Sequence, residues 1–92
     1  MTKESILRIL KTDLQICSDA YDEYLRKLIF LASDAITDEG IKLDMKSEQD
    51  CMLIELYAAY LYRKRKNEKT AMPKMLRCML NNRLIRQKAG GG

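Results

Sequence analysis

The chain contains no histidine and no tryptophan, and it has only one proline and four glycines in 92 residues. Because histidine is the side chain that most readily exchanges protons near neutral pH, its absence removes the usual general base from any active site. Gly40 is the only glycine before residue 90, so no glycine-rich loop is present to cradle a phosphate group. These absences predict that the protein is not an enzyme and uses no cofactor.

The three cysteines, Cys17, Cys51 and Cys78, are far apart in the sequence and form no Cys-x-x-Cys pair. Since there is also no histidine to complete a ligand set, the sequence predicts no zinc site and no other metal centre. We therefore expect reduced and mostly buried thiols that pack as small apolar side chains.

The apolar runs are short, and none approaches the ~20 residues that a helix needs to cross a bilayer. Hydrophobic residues nevertheless make up 47% of the chain, which is too high a share for a disordered protein. The first residues show no apolar signal segment. We therefore expect a soluble protein that stays in the cytoplasm where it is made.

Apolar residues recur at intervals of three and four in four segments, which predicts an all-α bundle of about four helices with short connections. We expect one domain, residues 1 to 89, and a flexible glycine tail at residues 90 to 92. The first helix is predicted to run from Thr2, its N-cap, to about Thr12. Residues 13 to 17 are then expected to form an extended connector.

The second helix is predicted to begin at Asp19, which resembles a capping residue paired with Asp22, and to end at Gly40. Its core-facing stripe consists of Tyr21, Leu25, Leu28, Ile29, Ala32 and Ile36. Phe30 and Leu31 widen this apolar face, so we expect the helix to contact more than one neighbour.

A third helix is predicted to begin at Ser47, where Asp50 completes a capping pattern. Eleven of the twelve residues from 51 to 62 are apolar or aromatic. A helix that is apolar on nearly every side is either the central helix of the bundle or part of a subunit interface. Before it, residues 41 to 46 alternate apolar and charged side chains, as in a brief strand or an extended contact.

A fourth helix is predicted to start near Pro73, because proline suits the first turn of a helix. The apolar positions that repeat at three and four residues are Met72, Met75, Leu76, Met79, Leu80, Leu84 and Ile85. Three of the six methionines lie in this segment. They fit either a surface that adapts to a partner or the filling of irregular gaps in a small core.

The charge of the chain is divided near residue 63. Residues 1 to 62 carry seven basic and twelve acidic side chains, a formal charge of −5, whereas residues 63 to 92 carry ten basic side chains and one acid, a formal charge of +9. Such a division favours binding over catalysis. The partner would be either a second copy of the chain or an acidic molecule.

One interpretation is a small basic helical protein that binds DNA, either non-specifically or as a regulator. Its electrostatic patch would consist of Arg63, Lys64, Arg65, Lys66, Lys69, Lys74 and Arg77. The last helix is too apolar for the recognition helix of a sequence-specific reader. The five tyrosines lie in apolar runs, which favours core or interface packing over base stacking. That helix has no Trp or Phe, so we expect no membrane partner.

The other interpretation is a self-assembling subunit. An acidic face and the basic C-terminal third would meet head to tail around a closed ring. Charge would then set the choice of partner and the register, while the apolar faces would supply most of the affinity.

Several segments resemble one family. After a short first helix come Asp19-Ala20-Tyr21-Asp22, residues 32 to 41, Leu56-Tyr57-Ala58-Ala59-Tyr60-Leu61-Tyr62-Arg63-Lys64-Arg65, Met72-Pro73-Lys74-Met75-Leu76-Arg77 and Leu80-Asn81-Asn82-Arg83-Leu84. In this order they resemble the tailed-phage head-to-tail connector, or adaptor, proteins, which are often labelled phage DNA-packaging proteins. The resemblance covers nearly the whole chain and is most specific in its final third.

The resemblance implies a structural virion protein with no catalytic site. Such a protein assembles as a ring of about twelve copies under the portal after DNA packaging and links the capsid to the stopper or tail. Its partners would be copies of itself, the portal protein and the stopper or tail-completion protein, with DNA only as passing cargo. It would lie at the head-to-tail junction of the virion, and in the host cytoplasm before assembly.

In this family the C-terminal segment engages the portal. The resemblance therefore assigns portal docking to Leu80, Asn81, Asn82, Arg83, Leu84, Ile85, Arg86 and Gln87. We expect Arg83 and Leu84 to matter for docking and little for folding. The side chains that would face the channel lumen, a neighbouring subunit or the portal are Arg63, Lys64, Arg65, Lys66 and Lys69.

Overall fold

The computed structural model describes residues 2 to 90 and contains four α-helices within that range. They are α1 (Lys3–Asp13), α2 (Asp22–Asp38), α3 (Glu48–Lys66) and α4 (Lys74–Ala89). The prediction of a small all-α bundle is confirmed. None of the described helices is both long and apolar enough to cross a membrane. Gly90 forms the C-cap of α4, and the rest of the predicted glycine tail, Gly91 and Gly92, lies outside the described residues.

The helix N-termini follow the predicted capping chemistry with one correction. The hydroxyls of Thr2 and Ser47 each accept a hydrogen bond from the backbone amide three residues ahead, at 3.1 and 3.3 Å. The chain before α2 is capped by Ser18 instead of by the predicted Asp19. The Ser18 hydroxyl accepts a hydrogen bond from the Ala20 amide at 3.0 Å and so caps a short 3₁₀ helix, Asp19–Tyr21, that leads into α2.

Two residues with positive φ end the first two α-helices. Gln15, with φ of 59°, follows α1, and the Ile16 amide donates to the Lys11 carbonyl at 2.8 Å. This is a Schellman-type helix end, so the predicted extended connector is in part a tight turn. Gly40, with φ of 98°, follows α2 as predicted, and the absence of a Cβ removes the strain that another residue would meet there.

The core lies around α3, which packs against each of the other helices. Buried residues of α1 and α2, such as Leu10 and Leu25, pack with Ile54 and Ala58 of α3 in one cluster. Residues 41 to 46 form loop and turn, and no strand. Of the two alternatives for the third helix, the structure shows the central position in the bundle, because burying its apolar surface requires neighbours on several sides.

Three aromatic or apolar side chains of the second helical segment lie outside the core. Tyr21, predicted on the core-facing stripe, belongs to the 3₁₀ helix and is 53% exposed. Phe30 and Leu31 are 56% and 47% exposed. Successive side chains of an α-helix point about 100° apart around its axis. Because Ile29 faces the core, the next two residues, Phe30 and Leu31, point away from it.

The cysteine prediction is correct for one residue and wrong for two. Cys51 is buried in α3, and burial raises the pKa of its thiol. Cys17 and Cys78 are exposed. They lie at the approach to the 3₁₀ helix and on the outer side of α4, where no neighbouring helix covers them.

The apolar stripe of α4 is wider than the surface that α3 covers. Leu76 and Leu80 are fully buried, whereas Met75 and Ile85 are 67% and 63% exposed. Pro73 is the N-cap and directly precedes the first turn. This helix therefore attaches to the bundle through a narrow apolar contact.

We predict that Leu28→Asp prevents folding, whereas Phe30→Asp, two residues away on the same helix, does not. Leu28 is 6% exposed, so the substitution forces a carboxylate into the core and costs at least about 3 kcal/mol of unfolding free energy. Thermal melts followed by far-UV circular dichroism would measure both. Equal loss of the transition in both variants would contradict the burial pattern of α2.

Candidate interaction surfaces

A buried ion pair joins α4 to α3. The Arg83 guanidinium donates to both carboxylate oxygens of Asp50, at 2.7 Å from Nε and 3.0 Å from Nη2. The Asp50 side chain is only 2% exposed. Burial by itself raises the pKa of this carboxyl, but hydrogen bonds from Arg83 and the Asp44 amide, and the charges of Arg83 and Arg86, bring the pKa below its ordinary value. Asp50 is therefore ionised and paired.

Two further polar contacts hold α4 near its ends. Near the start, Arg77 forms a bidentate contact with the Glu39 carboxylate, just after α2, at 2.6 and 3.3 Å. Near the end, the Gln87 side chain donates to the Gly40 carbonyl at 2.8 Å and accepts from the Lys42 amide at 2.7 Å. The position of α4 therefore depends on polar contacts spread along its length.

The eight portal-docking candidates divide between the two sides of α4. Leu80 is 1% exposed in the core, Arg83 binds Asp50, Leu84 packs partly buried against the core, and Gln87 binds the loop after α2. The exposed candidates are Asn81, Asn82, Ile85 and Arg86. The expectation that Arg83 and Leu84 contribute little to folding does not hold, because both side chains make contacts within the subunit.

An apolar groove runs between the outer sides of α3 and α4. It encloses about 840 Å³, and charged or polar side chains such as Glu48 and Arg86 form its rim. The apolar residues that line it are Met52, Leu53, Leu56, Met79 and Ile85. The groove is therefore continuous with three of the exposed candidates, Asn82, Ile85 and Arg86.

The basic residues at the end of α3 lie on several sides of the helix. Arg63 contacts the Asp13 carboxylate of α1 at 3.5 Å. The Lys64 ammonium lies 5.7 Å from the centroid of the Tyr60 ring. Lys69 is exposed in the loop that follows. The predicted basic patch is therefore not one continuous surface.

The two remaining cations of α3 belong to an aromatic cluster beside the start of α2, which we call the tyrosine cradle. It consists of Tyr21, Tyr24, Tyr62, Arg65 and Lys66. The Arg65 guanidinium lies 5.0 Å from the centroid of the Tyr24 ring, and the Lys66 ammonium lies 4.8 Å from that of Tyr62. The two rings are 6.4 Å apart. These are cation–π distances, so the cradle orients both positive charges.

A second acidic residue is buried in α3. Glu55 is 2% exposed, and its Oε2 has no hydrogen-bond partner within residues 2 to 90. Burial, a hydrogen bond to the Asp13 carboxylate and the charge of that carboxylate raise the pKa of Glu55 to about 8, against the opposing effect of Arg63. Glu55 is therefore mostly neutral at pH 7, although the same helix buries Asp50 in its ionised form.

The sequence named the exposed residues Asn81, Asn82, Ile85 and Arg86 among the docking candidates, but it indicated neither the groove nor the buried pairs. Asp50 fits a capping pattern, and nothing in the sequence marks it as the partner of Arg83, 33 residues away. Arg77 and Glu39 are 38 residues apart and no periodicity links them. Glu55 did carry a signal, because it is the single polar residue in an apolar run. The apolar groove and the tyrosine cradle are suited to binding a partner. Within residues 2 to 90, no group of three or more His, Cys, Asp or Glu side chains is placed to hold a metal ion.

We predict that Arg83→Met destabilises the fold by about 3–5 kcal/mol, because it leaves the Asp50 carboxylate buried without its partner. Lys88→Met is the control, because it removes a positive charge from an exposed position of the same helix that forms no ion pair within residues 2 to 90, and it should change the unfolding free energy by less than about 0.5 kcal/mol. Urea denaturation at pH 7 would measure both. Since the folded pKa of Asp50 is lowered, the pair stabilises the protein above the ordinary carboxyl pKa, and this contribution is lost as the pH falls through the folded pKa. Equal stability of the two variants would contradict this role of Arg83.

We predict that the unfolding free energy falls as the pH rises from about 4.5 to about 8, because folded Glu55 keeps a proton that the unfolded chain releases. The slope is about 1.4 kcal/mol per pH unit, or roughly 3 kcal/mol lost by pH 7. Glu55→Gln should remove this slope and be more stable than the wild type at pH 8. Glu48→Gln, exposed on the same helix, is the control and should keep the slope. The chain has no histidine, so few other groups titrate in this range. Parallel pH profiles for wild type and Glu55→Gln would contradict the assignment.

Comparison with models of known protein families found no match, and no curated protein or solved structure is significantly similar to this chain.

Proposed function

We propose that this protein is a subunit of the head-to-tail connector of a tailed phage or prophage. As an adaptor it forms a ring under the portal after DNA packaging and joins the capsid to the stopper or tail, by assembly and docking and without catalysis. The order of sequence segments described above supports the proposal. The observation that carries it is the uncovered apolar surface in the second half of α4, where Ile85 is 63% exposed beside the groove. An exposed apolar surface continuous with a groove is typical of a protein interface.

The ring contact is proposed between two different surfaces, as a head-to-tail ring requires. One is the outer side of α2, where Phe30 and Leu31 are exposed, and the other is the start of α4 around Met75. Helix α2 carries four acidic and two basic side chains. Helix α4 carries five basic side chains and no acidic one; Arg77 and Arg83 are paired within the subunit, which leaves three for a neighbour. Opposite charges would set the register of neighbouring subunits while the apolar side chains supply the affinity.

The portal contact is proposed on the outer side of the second half of α4. Ile85 is its apolar centre, and the exposed polar residues Asn81, Asn82 and Arg86 surround it. The adjoining groove adds Met52 and Leu56 of α3. An apolar centre with a polar rim is the usual composition of a protein–protein interface.

The test is to mix the purified protein with the portal ring encoded in the same genome and to record native mass spectra. We expect a discrete complex that carries a ring's worth of copies. Ile85→Asp should weaken this complex at least ~30-fold, because it places a charge at the centre of the contact. Its thermal transition should be unchanged, since Ile85 is exposed.

Ala20→Asp provides the control, because it adds the same charge at an exposed position of the 3₁₀ helix, which belongs to neither proposed contact. It should bind the portal as the wild type does. Portal rings without any bound subunit in the wild-type mixture would refute the connector function. Retained binding by Ile85→Asp would refute the assignment of the docking surface alone.

A further inference from the structure

We infer that the tyrosine cradle binds unpaired nucleotides of a single-stranded nucleic acid, with a base stacked on Tyr21 and phosphates bound by Arg65 and Lys66. The cradle is built from the 3₁₀ helix, the start of α2 and the end of α3, and α4 takes no part in it. The inference therefore does not rest on the connector proposal, and either can fail without the other.

The two cations of the cradle are available to an anionic ligand. Within residues 2 to 90, neither Arg65 nor Lys66 forms an ion pair with a carboxylate. Contact with the rings of Tyr24 and Tyr62 restricts the motion of the two cationic groups. An ammonium carries three N–H donors and a guanidinium five, so donors remain for a phosphate. Positive groups that are already oriented lose less entropy when a phosphate binds.

The acidic residues on either side of Tyr21 share one positive partner within the fold. The Lys11 ammonium lies 2.7 Å from a carboxylate oxygen of Asp19 and 2.8 Å from one of Asp22. Without this pairing both carboxylates would repel a phosphate bound in the cradle. Lys11, Asp19 and Asp22 together keep one negative charge, which the two positive charges of Arg65 and Lys66 exceed.

Tyr21 offers a ring on which a base can stack. Its side chain is 53% exposed, and within the described part of the chain its ring makes no aromatic pair and lies under no cation. The cradle forms a cleft of about 390 Å³, within the usual size range of small-ligand sites.

The combination of a stacking ring and oriented cations favours single strands over duplexes. In a duplex the faces of the bases are covered by their neighbours, so only an unpaired base can stack on a tyrosine ring. Grooves that bind single strands without sequence preference combine positive charge with exposed aromatic rings in this way.

Fluorescence anisotropy with a labelled oligothymidylate of about 15 nucleotides tests the inference, with a duplex of the same length as the comparison. We expect binding of the single strand, with Tyr21→Ala at least about fivefold weaker because one stacked base is lost. Tyr21 makes no side-chain capping bond to α2, so this variant should fold normally, which circular dichroism would verify. Lys66→Gln should weaken binding and reduce the slope of log affinity against log salt by about 0.7.

Lys64→Gln is the matched control, because it removes the same charge from the same basic run but lies over Tyr60, outside the cradle. It should weaken binding less than Lys66→Gln does. The inference is overturned if the wild type does not bind the single strand, or if the duplex binds at least as tightly. It is also overturned if Tyr21→Ala binds as the wild type does, or if the two lysine variants lose equal affinity, since diffuse electrostatic attraction would then explain the binding.

Discussion

The arrangement of the helices follows from one constraint: the apolar surface of α3 must be buried by the other three. Eleven of twelve consecutive residues in its middle are apolar or aromatic, so no single neighbour can bury them. Helices α1 and α2 close over one part of its surface, and α4 covers another through Leu76 and Leu80. The part that α4 leaves uncovered is the groove that contains Met52 and Leu56. The proposed docking surface is thus a direct consequence of how a 92-residue chain distributes its apolar area.

The two buried acids of α3 show how environment decides charge. Asp50 meets a bidentate arginine and is ionised, whereas Glu55 meets another carboxylate and holds a proton at pH 7. The ionised pair positions α4, which has little apolar contact of its own. The protonated acid lies at the contact with α1, where Arg63 opposes but does not cancel the effects of burial and Asp13. The two side chains therefore make the unfolding free energy depend on pH in opposite ways: the contribution of Asp50 is lost as the pH falls, and that of Glu55 is lost as the pH rises.

The exposed surfaces lie on different elements and suit different partners. The outer side of α4 combines an apolar centre with neutral and basic side chains, which suits a protein partner. The cradle combines an exposed ring with oriented cations, which suits a nucleic acid. A connector subunit that also holds single-stranded segments would use both surfaces without competition, because α4 contributes to only one of them.

The sequence by itself determined the helices, the caps at Thr2 and Ser47, the stop at Gly40 and the apolar character of α3 on nearly every side. Each of these follows from spacing or backbone chemistry within a few residues. The exposure of Tyr21, Cys17 and Cys78, and the burial of Arg83 against Asp50, were decided by the tertiary structure. These features depend on which elements meet, and side chains more than thirty residues apart leave no local pattern to reveal their contact. Short-range periodicity therefore predicted the bundle, while the long-range packing of α3 and α4 decided which charged and apolar groups remain available to partners.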